Sequence, residues 1–363
     1  AHNNLATIFL EKNMYEQSRI HASKAIELDQ HYIDAHYNLS LAFEALGDYA
    51  SAVENLNTIL NLDKTNSKAL ILLFRIYQNI CDWEKMEFIE QRLNDFIGNG
   101  DEHPFMNVSR IDDVNLNFKV AVSWANKNFI NIQNSIENKL VKKNKKIKIA
   151  YICGELRNHP TFHLIKNLFK EHDLKNFDTF MFSFNHEEKE KKFLEKDFSK
   201  FFDITDMSDN EAIDIITRNN IDVLIDLSVI ISNHRLNILK AKPAKKVISY
   251  LGFPGTSGHA FYDYILTDKI VCPEKHQPFY TEKFLYMPNC YQINDGTTNF
   301  SQKEIYNSEY NIPKNSYILS CFNQSFKFNE AIFKCWVEIL NELPNSILWL
   351  LNDNEIAQKN IHE

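Results

Sequence analysis

Ser249-Tyr250-Leu251-Gly252-Phe253-Pro254-Gly255-Thr256-Ser257-Gly258 gathers three of the chain's eight glycines and one of its nine prolines into a single stretch. The apolar run Lys246 to Leu251 leads into it. Glycine permits positive φ and close backbone approach, and proline fixes φ. A strand entering this pattern therefore ends in a rigid loop of exposed backbone amides. Such a loop can cradle a sugar or a phosphate, but an isolated G-x-P-G-x-x-G pattern is more often a plain turn after a buried strand. The surrounding sequence has to decide.

Outward from that loop, strand and helix patterns alternate. Lys148 to Cys153 reads as a strand, Phe162 to His172 as a helix, Phe180 to Phe184 as a strand and Asn210 to Asn219 as a helix. Val223 to Leu227 is a third strand, and the short helix Asn237 to Ala241 precedes Lys246 to Leu251. Continuously apolar strands separated by helices predict a parallel sheet buried on both faces. Ligands of such sheets bind at the carboxyl ends of the strands. The polar loops Gly154 to His163, Ser228 to Arg235 and Gly252 to Gly258 are expected on that one edge. Further on, a strand (Tyr317 to Phe322), a helix (Glu330 to Leu343) and a strand (Ser346 to Leu351) begin a second α/β region, with Asn323-Gln324-Ser325-Phe326-Lys327 after the first strand. Two strands are too few to close a domain, so the second region reads as cut short. The missing initiator Met and the opening in mid-pattern at Ala1 likewise read as a fragment.

On the amino-terminal side the sequence overlays itself when shifted by 34 residues. Ala1, Ala35 and Ala69 coincide, as do Leu5, Leu39 and Leu73, then Phe9, Phe43 and Tyr77, then Tyr15, Tyr49 and Trp83. This period, with its small, aromatic and aliphatic positions, resembles the tetratricopeptide repeat, two antiparallel helices per unit. Gly47-Asp48 marks a turn within the second unit and Asp63 to Asn66 the link to the third. Stacked units form a superhelix with a concave face suited to a polypeptide; Asn4 and Asn38, at one register, are candidate peptide contacts there. Ile97 to Asp101 is a flexible break, followed by helices expected at Asp112 to Asn128 and Ile130 to Leu140.

Composition sets the bounds. The chain has 363 residues, 44% apolar and 24% charged, as in soluble globular proteins. A net charge of −8 argues against a dedicated nucleic-acid binder; the run Lys142, Lys143, Lys145, Lys146, Lys148 reads as a solvated linker. Cys81, Cys153, Cys272, Cys290, Cys321 and Cys335 are scattered without a C-x-x-C, which suits reduced thiols and a cytoplasmic location. Val223 to Ile231, broken by Asp226, is too short to span a bilayer.

Several stretches, taken together and in order, resemble one family. Cys81-Asp82-Trp83, Asn158-His159-Pro160-Thr161, Leu251 to Gly258, Tyr262-Asp263-Tyr264, Cys321-Phe322-Asn323-Gln324 with Lys327, and Leu348 to Leu351 are similar to the protein O-linked N-acetylglucosamine transferases and their bacterial relatives. The resemblance implies a GT-B glycosyltransferase: a tetratricopeptide superhelix (1–98), a helical linker (99–144), a first Rossmann-like lobe (145–310) and the start of a donor-binding lobe (311–363). It assigns His159, Pro160 and Thr161 to the sugar pocket and reaction centre. Leu251, Gly252 and Pro254 lie against the transferred sugar, and Gln324 and Lys327 near the diphosphate. Arg235 matches a family arginine and is counted with the substrate-binding residues.

The implied reaction moves N-acetylglucosamine, or a related sugar, from a UDP-sugar to Ser or Thr of a protein acceptor held through the repeat groove. It implies no metal and no cofactor; the net charge and the lack of a long apolar run set the expectation of no nucleic acid and no membrane partner. Independently of the family, a departing diphosphate needs a cation such as Lys327, and the acceptor hydroxyl must lose a proton that His159 or Glu155 can take or relay. Two departures stand out. Glu155 replaces the usual Asp, and Val229-Ile230-Ile231 replaces a polar Gly-containing loop. The family's His-Thr-Thr helix start falls beyond Glu363, so the chain alone is expected to be inactive or nearly so. Two other readings remain open: a repeat adaptor with a decayed transferase region, and a related transferase with another donor or an Asn acceptor.

Overall fold

The computed structural model describes residues 1–129, 146–231, 234–296 and 306–363. The helix expected at Ile130 to Leu140 and most of the basic run lie outside them. The chain divides into two compact units, one of Ala1–Ile97 with Gln302–Glu363 and one of Gly98–Ser301.

In the first unit, α1 (His2–Glu11), α2 (Tyr15–Leu28), α3 (Ile33–Ala45), α4 (Tyr49–Leu62), α5 (Ser67–Asn79) and α6 (Trp83–Leu93) form three helix pairs. The 34-residue period is visible in backbone angles. Asn13 (φ 56°), Gly47 (φ 79°) and Cys81 (φ 55°) occupy the same left-handed turn position between the helices of successive pairs. Asp48 and Asp82 then cap α4 and α6, accepting from Ser51 N and Lys85 N. Leu56, Ile59, Leu70, Leu73 and Ile76 are fully buried where repeats two and three meet. Of the two recurrent asparagines, Asn38 differs from expectation. Asn4 is exposed, whereas Asn38 is buried and donates to Asn3 Oδ1 (2.9 Å) and Thr7 Oγ1 (3.0 Å), so its amide ties adjacent repeats together.

In the second unit, α7 (Pro104–Val108) and α8 (Val114–Asn128) precede β1 (Ile147–Cys153), α9 (Pro160–Ile165), β2 (Phe177–Ser183), α10 (Glu188–Leu194) and β3 (Lys200–Asp203). Then follow α11 (Asp209–Arg218), β4 (Val223–Asp226), α12 (Leu236–Lys240), β5 (Lys246–Ser249), β6 (Tyr264–Thr267) and β7 (Lys283–Tyr286). Among the described residues all seven strands pair in parallel, in the order β3-β2-β1-β4-β5-β6-β7. One core, with Ile152, Phe182, Leu224 and Val247, packs on Ile216, Leu239 and Trp124; the other, with Tyr151, Met181 and Leu227, packs on Ile165 and Phe169. The sheet is thus covered on both faces, as its apolar strands require.

Sequence patterning missed β3, β6 and β7; β3 and β7, at the two edges of the sheet, have no fully buried residue and so lack the apolar run that marks the equally short β4 and β5. The helix expected from Phe162 to His172 is shorter than its pattern. It ends at Ile165, where Lys166 Nζ (2.7 Å) and Asn167 Nδ2 both turn to Asp295, and a 3-10 turn follows at Phe169–Glu171.

The remainder of the first unit is a βαβ arrangement of β8 (Tyr317–Cys321), α13 (Glu330–Glu342) and β9 (Ser346–Leu350), followed by α14 (Glu355–His362). Its strands are far less covered than those of the larger sheet, with Tyr317 61% exposed. No helix among the described residues is long and apolar enough to cross a membrane.

Candidate functional site

The strand order reverses between β1 and β4, and the crevice outside such a reversal is where parallel sheets bind ligands. The three loops singled out from sequence converge on this edge. Gly154 N, after β1, donates to Ser228 Oγ (3.1 Å), after β4. A Cβ on Gly252, after β5, would lie 2.6 Å from both Leu227 O and Ser228 O, so only glycine lets these two backbones touch. Asp226 closes the arrangement from below. Its carboxylate accepts from Tyr262 Oη (2.5 Å) and Ser228 N (3.0 Å), and burial pushes its pKa up.

Two bulky residues on this edge have left-handed backbones. Leu251 (φ 68°) is the centre of a three-residue turn in which Gly252 N donates to Tyr250 O at 2.8 Å. A γ-turn with positive φ is rare and strained. Val229 (φ 54°) is β-branched, for which this region is a true outlier. Each costs about 1–3 kcal/mol, and such strain gathers at functional sites. The expected polar loop after β4 is replaced by Val229 and Ile230, both buried in the core cluster around β4 and α12.

The loop Gly252 to Gly258 is held by a residue that sequence patterning missed. Glu282, just before β7, is 0% exposed and accepts from Thr256 Oγ1 (2.7 Å), Ser257 N (2.8 Å) and Ser257 Oγ. At the loop's far end Gly258 (φ 73°) lies so close to α8 that a Cβ would fall 2.3 Å from Ala121 O. Pro254 stays exposed. In sequence Glu282 is one charge in Thr281-Glu282-Lys283 and carries no mark of burial.

In the loop after β1, His159 Nδ1 accepts from Thr161 N (3.2 Å), capping α9, with Pro160 at the first helical position. An Nδ1 that accepts leaves the neutral ring's proton on Nε2. That nitrogen faces Glu155 Oε2 at 3.7 Å. Burial holds the His159 pKa below its ordinary value and Glu155 pulls the other way, so the ring is neutral at pH 7. Glu155 is buried and bound by Arg157 through Nε (3.1 Å) and Nη2 (2.9 Å). With its lone pair in the cap, His159 is a hydrogen-bond donor at rest and accepts a proton only after Thr161 N lets go.

Arg235 is turned to its own lobe: Nε donates to Asp209 Oδ1 (2.8 Å), Nη1 to Ile204 O (2.7 Å) and Nη2 to Met207 O (2.7 Å). It thereby fastens the start of α11 to the loop after β3. Gln324 and Lys327 belong to the other unit, on the exposed side of the 3-10 turn Ser325–Lys327 after β8.

The profile of glycosyl transferase family 41 matches residues 125–307 and 304–363, and that of the tetratricopeptide repeat matches 33–66. A probable UDP-N-acetylglucosamine–peptide N-acetylglucosaminyltransferase of Arabidopsis thaliana, SEC, is 33% identical over 218 residues, covering 57% of this chain and 22% of the relative. The UDP-N-acetylglucosamine–peptide N-acetylglucosaminyltransferase of Caenorhabditis elegans is 30% identical over 158 residues, 43% of this chain and 14% of the relative. The chain thus spans less than a quarter of either. A mutant of the Thermobaculum terrenum O-GlcNAc transferase shares the fold, with a TM-score of 0.73 and 18% identity over 99% of this chain and 71% of that one. The family profile covers well over half the sequence, together with the strand-end loops after β1, β4, β5 and β8; the chain belongs to glycosyl transferase family 41.

Proposed function

We propose that this chain is part of a transferase that moves N-acetylglucosamine from a UDP-sugar to Ser or Thr of protein acceptors. The observation that carries the reading is the strained Leu251–Gly252 turn at the carboxyl edge of the parallel sheet, in a chain of this family. In the reaction the acceptor oxygen bonds to the anomeric carbon as the bond to the β-phosphate oxygen breaks. UDP leaves with the bonding electrons and the acceptor proton passes to a base or water. Lys327 supplies positive charge to the departing diphosphate, and Gln324 hydrogen-bonds beside it. The backbone of Leu251, Gly252 and Pro254 forms a wall against the sugar, with Thr161 behind the cap. His159 orients an oxygen through its Nε2–H, and Glu155 with Arg157 holds that ring in place. The concave face of the repeats receives the protein acceptor.

Calorimetric titration with UDP and UDP-N-acetylglucosamine tests the donor half, and transfer of labelled sugar to a protein panel by the longest available form tests the whole. Binding that weakens about tenfold or more in Lys327→Ala supports the reading. Binding of neither ligand would sink it and favour a repeat adaptor. Tighter binding of GDP than of UDP would move it to another donor.

A further inference from the structure

The turn of the third repeat breaks a local rule. At the left-handed position where the first two repeats carry Asn13 and Gly47, residues that tolerate positive φ, the third carries Cys81. Its thiol is buried against Phe328 and Ala357, with Trp83, Phe333 and Trp336 around them. Burial, helped by the Asp353 carboxylate, pushes that thiol up to about 12 while a hydrogen bond with Ser325 pulls the other way, so the neutral thiol meets the loop at Ser325 as well as by packing. The carbonyls at the end of α5 are also engaged: Asn354 Nδ2 donates to Asn79 O (3.0 Å) and Asn360 Nδ2 to Ile80 O (2.8 Å). Asp353, next to Asn354, grips Ser325 through its N–H (2.9 Å) and its hydroxyl. Ser325 and Phe328, at either end of the segment that carries Lys327, are therefore fastened to the repeat, while Gln324 and Lys327 stay exposed.

We propose that the turn Asn79–Cys81 is a seat that positions the loop Gln324–Lys327, so that the third repeat works as a part of the donor site as well as of the acceptor groove. The seat stands on contacts within one unit; its consequence for the donor rests on the proposed function. Cys81, Asn354, Asn360 and Asp353 are positioning residues, acting on the diphosphate through the loop. At this left-handed position the Cys81 side chain packs with Phe328; glycine would suit the backbone better and remove that contact.

The test compares Cys81→Gly and Asn360→Ala with Asn13→Gly, which makes the same kind of change in the first repeat's turn, where Asn13 is exposed and accepts from Tyr15 Oη. Amide hydrogen exchange is measured at Ser325–Phe328 and in α3, and UDP affinity by titration, all on the full chain. Cys81→Gly and Asn360→Ala are expected to speed exchange at Ser325–Phe328 about tenfold while α3 is unchanged, and Asn13→Gly to leave the loop as it was. UDP affinity should fall about tenfold in the first two and stay put in the third. Unchanged loop exchange in both seat variants would overturn the seat. Faster exchange with unaltered UDP affinity would overturn its role in donor binding. If the unsubstituted chain binds no UDP, the functional reading fails, and exchange still decides whether the seat exists.

Discussion

The loops after β5 and after β8 use the same grip in different surroundings. In each, a carboxylate takes the N–H and hydroxyl of one serine: Glu282 holds Ser257, and Asp353 holds Ser325. Both serines are buried, yet Glu282 is wholly enclosed while Asp353 is exposed. The first loop sits above a seven-stranded sheet, where the residues just after β4 meet its Gly252 end and α8 its Gly258 end. The second sits above two strands and takes its remaining support from a helical repeat. A loop over a wide sheet can be shaped by its neighbours in that sheet, even to the point of strain. A loop over a narrow one has to be propped from elsewhere.

The sharpest way to break the comparison is to remove each carboxylate. Glu282→Ala leaves a buried N–H and several hydroxyls to find new partners, and is expected to cost about 3–4 kcal/mol. Asp353→Ala, where water can replace the carboxylate, should cost about 1 kcal/mol. Denaturant midpoints of the two variants check this, and equal losses would show that burial does not distinguish the grips.

Acid should separate the regions next. His259 lies beside the Gly258 turn, stacked on Phe261 (4.6 Å) and edge-on to Phe129 (4.9 Å), with Nε2 buried and without a partner. Burial lowers its pKa from an ordinary 6.5 to about 4. The unfolded chain binds more protons between those values, so stability is full above pH 6.5 and falls as pH drops toward 4, by up to about 3 kcal/mol. His172 and His234, also lowered by burial, act in the same direction. His259→Phe should flatten much of this slope in pH-dependent unfolding of the larger unit; an unaltered slope would assign it to the other histidines.

Gly252→Ala comes third, at about 2 kcal/mol, because its new methyl meets two backbone carbonyls that cannot move aside cheaply. Val229→Gly should have the smallest effect. Relief of about 1–3 kcal/mol of left-handed strain offsets the loss of about 1.5–3 kcal/mol of buried side chain, leaving a net change of about 1 kcal/mol or less. A large stabilisation in thermal unfolding would mean that the strain dominates.

The helical repeats and the parallel α/β sheet were legible in the sequence because period and apolar runs report burial directly. Gly252 was legible too, since only one residue type permits its backbone approach. Glu282, Arg157 and Asp353 were not, because a charge that ends up gripping a loop looks like any solvated charge until the chain is folded. Arg235 was visible as a match but not as a clamp on Asp209, Ile204 and Met207. The cap on His159 shows a related limit: sequence indicates an imidazole, while the direction of its lone pair is set by Thr161 N.

Tandem repeats are commonly treated as interchangeable modules, to be added, deleted or shuffled at will. The turn at Cys81 removes that freedom from one position. Copying the second repeat over the third would restore a comfortable glycine to the turn and preserve the helical stack, yet it would delete the side chain under Phe328. On the proposed seat, length can vary on the amino-terminal side of the array, whereas a chimera that replaces the third repeat loses its contacts with Phe328 and Ala357.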